Sequence, residues 1–178
     1  WTSSPRAGAP PFLAGTRGIP SGRAHDALNL AALGGLALAH LAAGGSPEDP
    51  RAWAFGLAYL AGTYLLSPDL DLAERGVRAS RRWGILAAFW RPYGWLFRHR
   101  GLSHTWLLGP LTRLAYLGAW VGLLLLVLRW TLGLQASLDL PPGLWGFGLL
   151  GYYASQWLHL LADGVRPDHG LKRLRRPR

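Results

Sequence analysis

The sequence contains no cysteine, so no disulfide scaffold and no zinc–thiolate site can form. Methionine is absent as well, and lysine is reduced to Lys172. Charge is scarce: 16% of the 178 residues are Asp, Glu, Lys or Arg, against about 25% in an average soluble domain. Acids are the scarcer sign, nine against nineteen cations, which leaves a net charge of +10. Disorder is excluded, because half of the chain is apolar and chains that stay unfolded are poor in such residues. A basic chain with few charges and much apolar surface is a nucleic-acid binder or a membrane protein with a positive face. Where the charges sit decides between them.

Four apolar segments stand out, at residues 27–44, 52–66, 105–128 and 143–161. A helix crossing the hydrocarbon core needs about 20 mostly apolar residues, within a range of about 17–25. The third and fourth segments fit, the first is adequate, and the second is short. The third holds the run VGLLLLVL with no polar face, and a helix apolar all round belongs inside a large protein or in lipid. A chain of 178 residues cannot hide four such helices. The expected fold is therefore all-α: an integral membrane bundle of about four transmembrane helices. A soluble helical bundle is the alternative.

The arginines give that bundle a direction. Sixteen of the nineteen cations precede the first segment, lie between the second and third, or follow the fourth. Arg51 and Arg129 occupy the other two loops, and Arg113 lies inside the third segment. Positive loops stay cytoplasmic. Both termini and the long middle loop are thus expected on the cytoplasmic side of the inner membrane. Within that loop, residues 82–98 (RWGILAAFWRPYGWLFR) mix arginine with Trp83, Trp90, Tyr93 and Trp95. An amphipathic helix lying in the membrane interface and broken at Pro92 is expected there. The same mixture would suit RNA, but apolar spans flank it on both sides, and no specific nucleic acid is expected. The ends frame the domain. Residues 1–18, rich in Pro, Gly, Ser and Thr, read as a disordered or artefactual extension on a chain that starts at Trp1 without methionine. Residues 19–164 form the membrane domain, and residues 165–178 a basic cytoplasmic tail.

The few acids and histidines gather at four places. His25-Asp26 precedes the first segment, and Asp69 and Asp71 follow the second in Ser67-Pro68-Asp69-Leu70-Asp71. His99 and His104 precede the third in His99-Arg100-Gly101-Leu102-Ser103-His104, and His159 and Asp163 end the fourth. In the topology drawn from arginines alone, all four places lie at the cytoplasmic mouth of the bundle. Imidazole nitrogen and carboxylate oxygen suit zinc, manganese or iron without any thiolate. His159 and Asp163 are four apart and share a helical face. The same face runs back through Ser155 and Gly151, whose small size lets a neighbouring helix approach. Asp69 and Asp71 follow a proline, where a local turn can bring two carboxylates to one ion. Asn29, one turn beyond His25, is an expected supporting partner. His40, at the far end of its segment, is expected to be structural, His169 with Asp168 to be solvated, and Ser103 to cap a helix. Arg113 sits deep in its segment and needs a partner.

The ordered set Ser21-Gly22-Arg23-Ala24-His25-Asp26, Ser67-Pro68-Asp69-Leu70-Asp71, His99-Arg100-Gly101-Leu102-Ser103-His104 and His159 to Asp163 resembles a bacterial membrane family of metal-binding proteins. That family is similar in turn to the LexA-regulated, membrane-bound metal-dependent hydrolases of the YdjM type. The resemblance covers about residues 19–164. It implies a metal site at His25, Asp69, Asp71, His104, His159 and Asp163, with His99 and Asp26 nearby, holding one or two divalent ions. By analogy it implies hydrolysis. An ion that polarises an ester or phosphoester is the expected chemistry, and the surplus of candidate ligands leaves His99 or Asp71 free as general base. A site at the lipid–water boundary favours a lipid-derived or amphiphilic substrate. A non-catalytic protein in which the metal staples helix ends is the alternative, and a basic nucleic-acid-binding protein ranks below both.

Overall fold

A computed structural model describes residues 22–97, 102–134 and 140–165, without the side chains of Glu74 and Arg75. The 1–18 extension and, beyond Val165, the basic tail lie outside the described residues. Among the described residues every regular element is helical, as expected. Four long helices take up the four apolar segments: α1 (Gly22–Ala42), α2 (Pro50–Tyr64), α5 (Leu108–Leu132) and α6 (Pro142–Ala162), with two short ones, α3 (Arg78–Arg81) and α4 (Arg91–Leu96), between α2 and α5.

Their boundaries follow from local chemistry. Asp49 caps α2 by accepting the Arg51 N–H at 2.9 Å, and Pro50 occupies the first turn, where its missing N–H costs nothing. Gly133, at φ 65°, ends α5 in the left-handed conformation. Among the described residues only α5, of 25 residues, is long and apolar enough to cross a membrane, with a mean hydropathy of 1.9 over its most apolar stretch. Only 6% of its apolar window is buried within this chain. The other three long helices miss that mark; α2, with 15 residues, is about 22 Å long and short of the roughly 30 Å hydrocarbon core.

α2 packs along α6 more extensively than any other pair. Glycine makes the approach close: Gly151 of α6 lies directly on the Phe55 carbonyl of α2, and Gly62 of α2 faces Ser155 of α6. This seam sets the position of the C-terminal end of α6, where the polar cluster lies.

The connection between α2 and α5 differs from the expected amphipathic helix. It is a string of short pieces: a 3₁₀ turn Pro68–Arg75, α3, a 3₁₀ turn Gly84–Trp90, α4 and a 3₁₀ turn Leu102–His104. Gly84, at φ 54°, interrupts the run early, and Pro92 opens α4 instead of breaking a helix. The aromatic residues divide accordingly. Trp90 and Tyr93 are fully buried against Tyr116 of α5, with ring centroids 5.5 and 5.4 Å from it, while Ile85 and Trp95 are 94% and 70% exposed. The Tyr116 hydroxyl donates to the Phe89 carbonyl at 2.6 Å and pins the connection to α5.

Candidate metal centre

Three side chains meet where α1 begins and α6 ends. His25 lies in the first turn of α1 and is buried. Asn29, one turn on and also buried, donates its amide to the His25 carbonyl at 3.1 Å. His159 lies in the last turn of α6, and Asp163 is its C-cap, so their four-residue spacing stays on one face to the end. The Asp163 carboxylate stands between the two imidazoles: Oδ1 is 3.1 Å from His25 Nε2, and Oδ2 is 3.4 Å from His159 Nε2. The rings stack with centroids 4.3 Å apart and planes 14° from parallel. The ligand atoms of these three residues all lie within 4.8 Å of one another. Asp69, from the Pro68–Arg75 turn, adds a carboxylate oxygen 3.7 Å from His159 Nε2.

The arrangement suits a cation. His159 Nε2 is buried and makes no hydrogen bond, although two carboxylates face it. A nitrogen lone pair held against carboxylate oxygens is repelled unless a proton or a metal ion lies between them. Two imidazoles and two carboxylates form the nitrogen–oxygen donor set that suits zinc, manganese or iron.

A second pair lies on the neighbouring turn. The Asp71 carboxylate is fully buried, accepts the Ser103 hydroxyl at 2.5 Å, and is 3.5 Å from His104 Nδ1. Asp69 and Asp71 therefore address different partners, contrary to the expectation of one shared ion. The turn is 3₁₀, at about 120° per residue, so side chains two apart diverge. Asp26 also turns away. Its carboxylate pairs with Arg78 Nη1 at 3.1 Å and Arg82 Nη2 at 2.5 Å, since neighbours on a helix are about 100° apart and His25 takes the inward direction. Arg82 is held further by the Tyr64 carbonyl and ring. His99, His169 and Asp168 lie outside the described residues.

Ser103 does not cap a helix: its hydroxyl serves Asp71, and Thr105 Oγ1 accepts the Gly109 N–H at 2.9 Å instead. His40 bonds the Ser46 carbonyl at 3.1 Å at the other end of α1. Arg113 is fully buried and reaches Gln156, Tyr152 and the Ser103 carbonyl. Sequence reasoning passed over Gln156 and Tyr152. The available signal was a glutamine alone in an apolar segment, which demands a polar partner there as Arg113 does.

Two site groups at the helix ends, outside the apolar segments, are shifted. Burial, and then the charge of His159, hold His25 below its ordinary 6.5, against the opposite pulls of Asp163, Asp69 and Asp26. Burial pushes the Asp163 carboxyl up, but contact with His159 and the charges of His159, His25 and His104 outweigh it and hold the group below 3.8. Both values are depressed in the folded state, so both contributions to stability are present above the unfolded values. They are lost as pH falls, His25's from 6.5 downward and Asp163's from 3.8 downward. Metal binding needs a neutral imidazole. Equilibrium dialysis should therefore show an affinity that falls on acidification, with the part due to His25 lost only below pH 6.5. An affinity that rises on acidification would contradict the site.

A family model described as "Uncharacterized metal-binding protein (DUF2227)" matches residues 20–173. An uncharacterized protein of Aquifex aeolicus (strain VF5) is 49% identical over 72 residues, which are 40% of this chain and 48% of the relative. The chain thus matches about half the length of that curated relative. No solved structure matches.

Proposed function

This chain belongs to the uncharacterized metal-binding protein family, and from that premise we propose that it is an inner-membrane protein that holds a divalent cation on His25, His159, Asp163 and Asp69. The same reading makes it a hydrolase of an ester or phosphoester in a lipid-derived or amphiphilic molecule. The observation that carries the metal site is the buried, unbonded His159 Nε2 facing two carboxylates beside a stacked second imidazole. A divalent ion there would act as a Lewis acid and lower the pKa of a water. Asp69 is the site carboxylate most open to solvent, 33% exposed, whereas Asp71 is sealed and already accepts from Ser103. Asp69 is therefore better placed than Asp71 to meet a molecule that arrives from solvent. Asp71 sits behind Nδ1 of His104, where a carboxylate fixes the orientation of a ligating imidazole, and this pair would serve a second ion.

The membrane reading is supported by α5, whose long apolar stretch is almost wholly unburied, and by arginines concentrated before α1, between α2 and α5 and after α6. A non-catalytic role has its own support: the donors come from α1, from the turn after α2 and from α6, so one ion would staple three segments. Coordination separates the two, because a structural site is closed and a catalytic one keeps an open position. The full-length protein should sediment with membranes, need detergent for extraction, and carry at least one zinc, manganese or iron ion per chain. Metal-loaded protein should hydrolyse nitrophenyl esters or phosphodiesters. Protein that stays metal-free after incubation with each ion would overturn the proposal, and loaded but inert protein would leave the structural role.

A further inference from the structure

Arg113 has no part in the proposed chemistry, yet its guanidinium is fully buried. Among the described residues, no carboxylate lies within ion-pairing distance of it. Its partners are neutral: the Ser103 carbonyl at 3.0 Å from Nη1, Gln156 Oε1 at 2.9 Å from Nη2, and the Tyr152 hydroxyl at 3.4 Å from Nε. Those partners are tied down in turn. Gln156 Nε2 donates to the Gly62 carbonyl of α2 at 2.9 Å, and the Tyr152 hydroxyl donates to the Pro110 carbonyl of α5 at 3.1 Å. A buried charge without an opposite charge is expensive, and apolar packing would join three helices at less cost. The charge therefore calls for a role beyond adhesion.

The geometry points to Arg113 as a positioning residue of the metal centre, which fixes the Leu102–His104 turn through the Ser103 carbonyl and so sets the His104 ring against Asp71. Ser103 is the link. Its carbonyl accepts from Arg113 and its hydroxyl donates to Asp71, so two fully buried charges meet through one residue. His104 follows directly in the chain, with Nδ1 3.5 Å from Asp71 and 3.3 Å from the Ser103 hydroxyl. Moving the carbonyl would move both groups. The turn is short and Gly109 packs directly on the same carbonyl, so the turn is gripped from two sides. The link to metal rests on the proposed metal site; the positioning of His104 does not.

Arg113→Lys keeps the charge, but a single ammonium cannot span three acceptors as the planar fork does. Tyr152→Phe removes one acceptor and leaves the packing. Both should keep wild-type helicity. In metal-free full-length protein in detergent, both should shift the ring nitrogen resonances of His104 and leave those of His40 unmoved. In cobalt-loaded protein both should change the shape of the visible band and weaken cobalt binding by roughly 10–100-fold, the usual loss for a group acting through a ligand. A purely structural role would lower the unfolding temperature and leave ring resonances and band shape as in the wild type, and that result would overturn the proposal. Wild-type protein that takes up no cobalt would sink the metal reading alone, because the His104 resonances still report on Arg113.

Discussion

Alanine in place of His159 is expected to abolish stable metal binding while the metal-free chain stays folded. His159 is the residue on which the cluster converges: it stacks on His25, stands 3.4 Å from Asp163 and 3.7 Å from Asp69, and is itself buried. Removing it deletes one donor and the surface that holds the second imidazole in place. Loss of a partner behind a ligand weakens binding by roughly 10–100-fold, so loss of a direct ligand should reach at least the order of 1000-fold. The metal-free fold should tolerate the change with a loss of stability confined to the stacking on His25 and the contacts with Asp163 and Asp69, because His159 stands in the last turn of α6 and hydrogen-bonds no other element. His40→Ala is the matched control. It lies on α1 fifteen residues past His25, about 22 Å along the axis, and its ring serves the Ser46 carbonyl and packs against Gly45. Metal per chain after dialysis, with far-ultraviolet circular dichroism alongside, should separate the two variants. Wild-type stoichiometry in His159→Ala would put the ion elsewhere.

The helices were legible because each apolar segment is bounded by proline, glycine or charge, as Asp49-Pro50 before α2 and Arg129 in the last turn of α5 illustrate. His159 and Asp163 were legible as a pair because a four-residue spacing has one meaning on a helix. Asp69 and Asp71 were not, because a spacing of two has different meanings in a strand, an α-helix and a 3₁₀ turn, and no local residue announces which will form. Asp26 could not be told from His25 as a ligand by sequence, since the arginines that claim it lie more than fifty positions away at Arg78 and Arg82. The role of Ser103 depended on Asp71 in the same way, and that of Arg113 on Gln156 and Tyr152. The missed relations are long-range side-chain contacts, and the legible ones are local or periodic.

Gly151→Ala is expected to lower both stability and metal affinity, and Gly56→Ala to do neither. A methyl at Gly151 would overlap the Phe55 carbonyl and come within 2.9 Å of the Phe55 Cα, so the obstacle is backbone that cannot rotate aside. The helices must part. Overpacking of this kind costs about 1–3 kcal/mol, against which the better helix propensity of alanine returns only about 1 kcal/mol. At Gly56, also on α2, nothing lies within 4 Å of the added carbon, so the propensity gain of about 0.5–1 kcal/mol should stand alone. The site is linked to the seam by the chain itself. His159 follows Gly151 by about two turns on the same face, and Ser155 between them is buried against Gly62. Pushing α6 off α2 moves His159 and Asp163 away from His25 and Asp69, which come from other segments and do not follow. Ligand sets tolerate only about 0.5 Å of such displacement. Thermal unfolding and metal titration of the two variants should therefore fall together for Gly151→Ala. A Gly151→Ala protein with lowered stability and wild-type metal affinity would mean that the cluster is held by its own contacts and not by the α2–α6 seam.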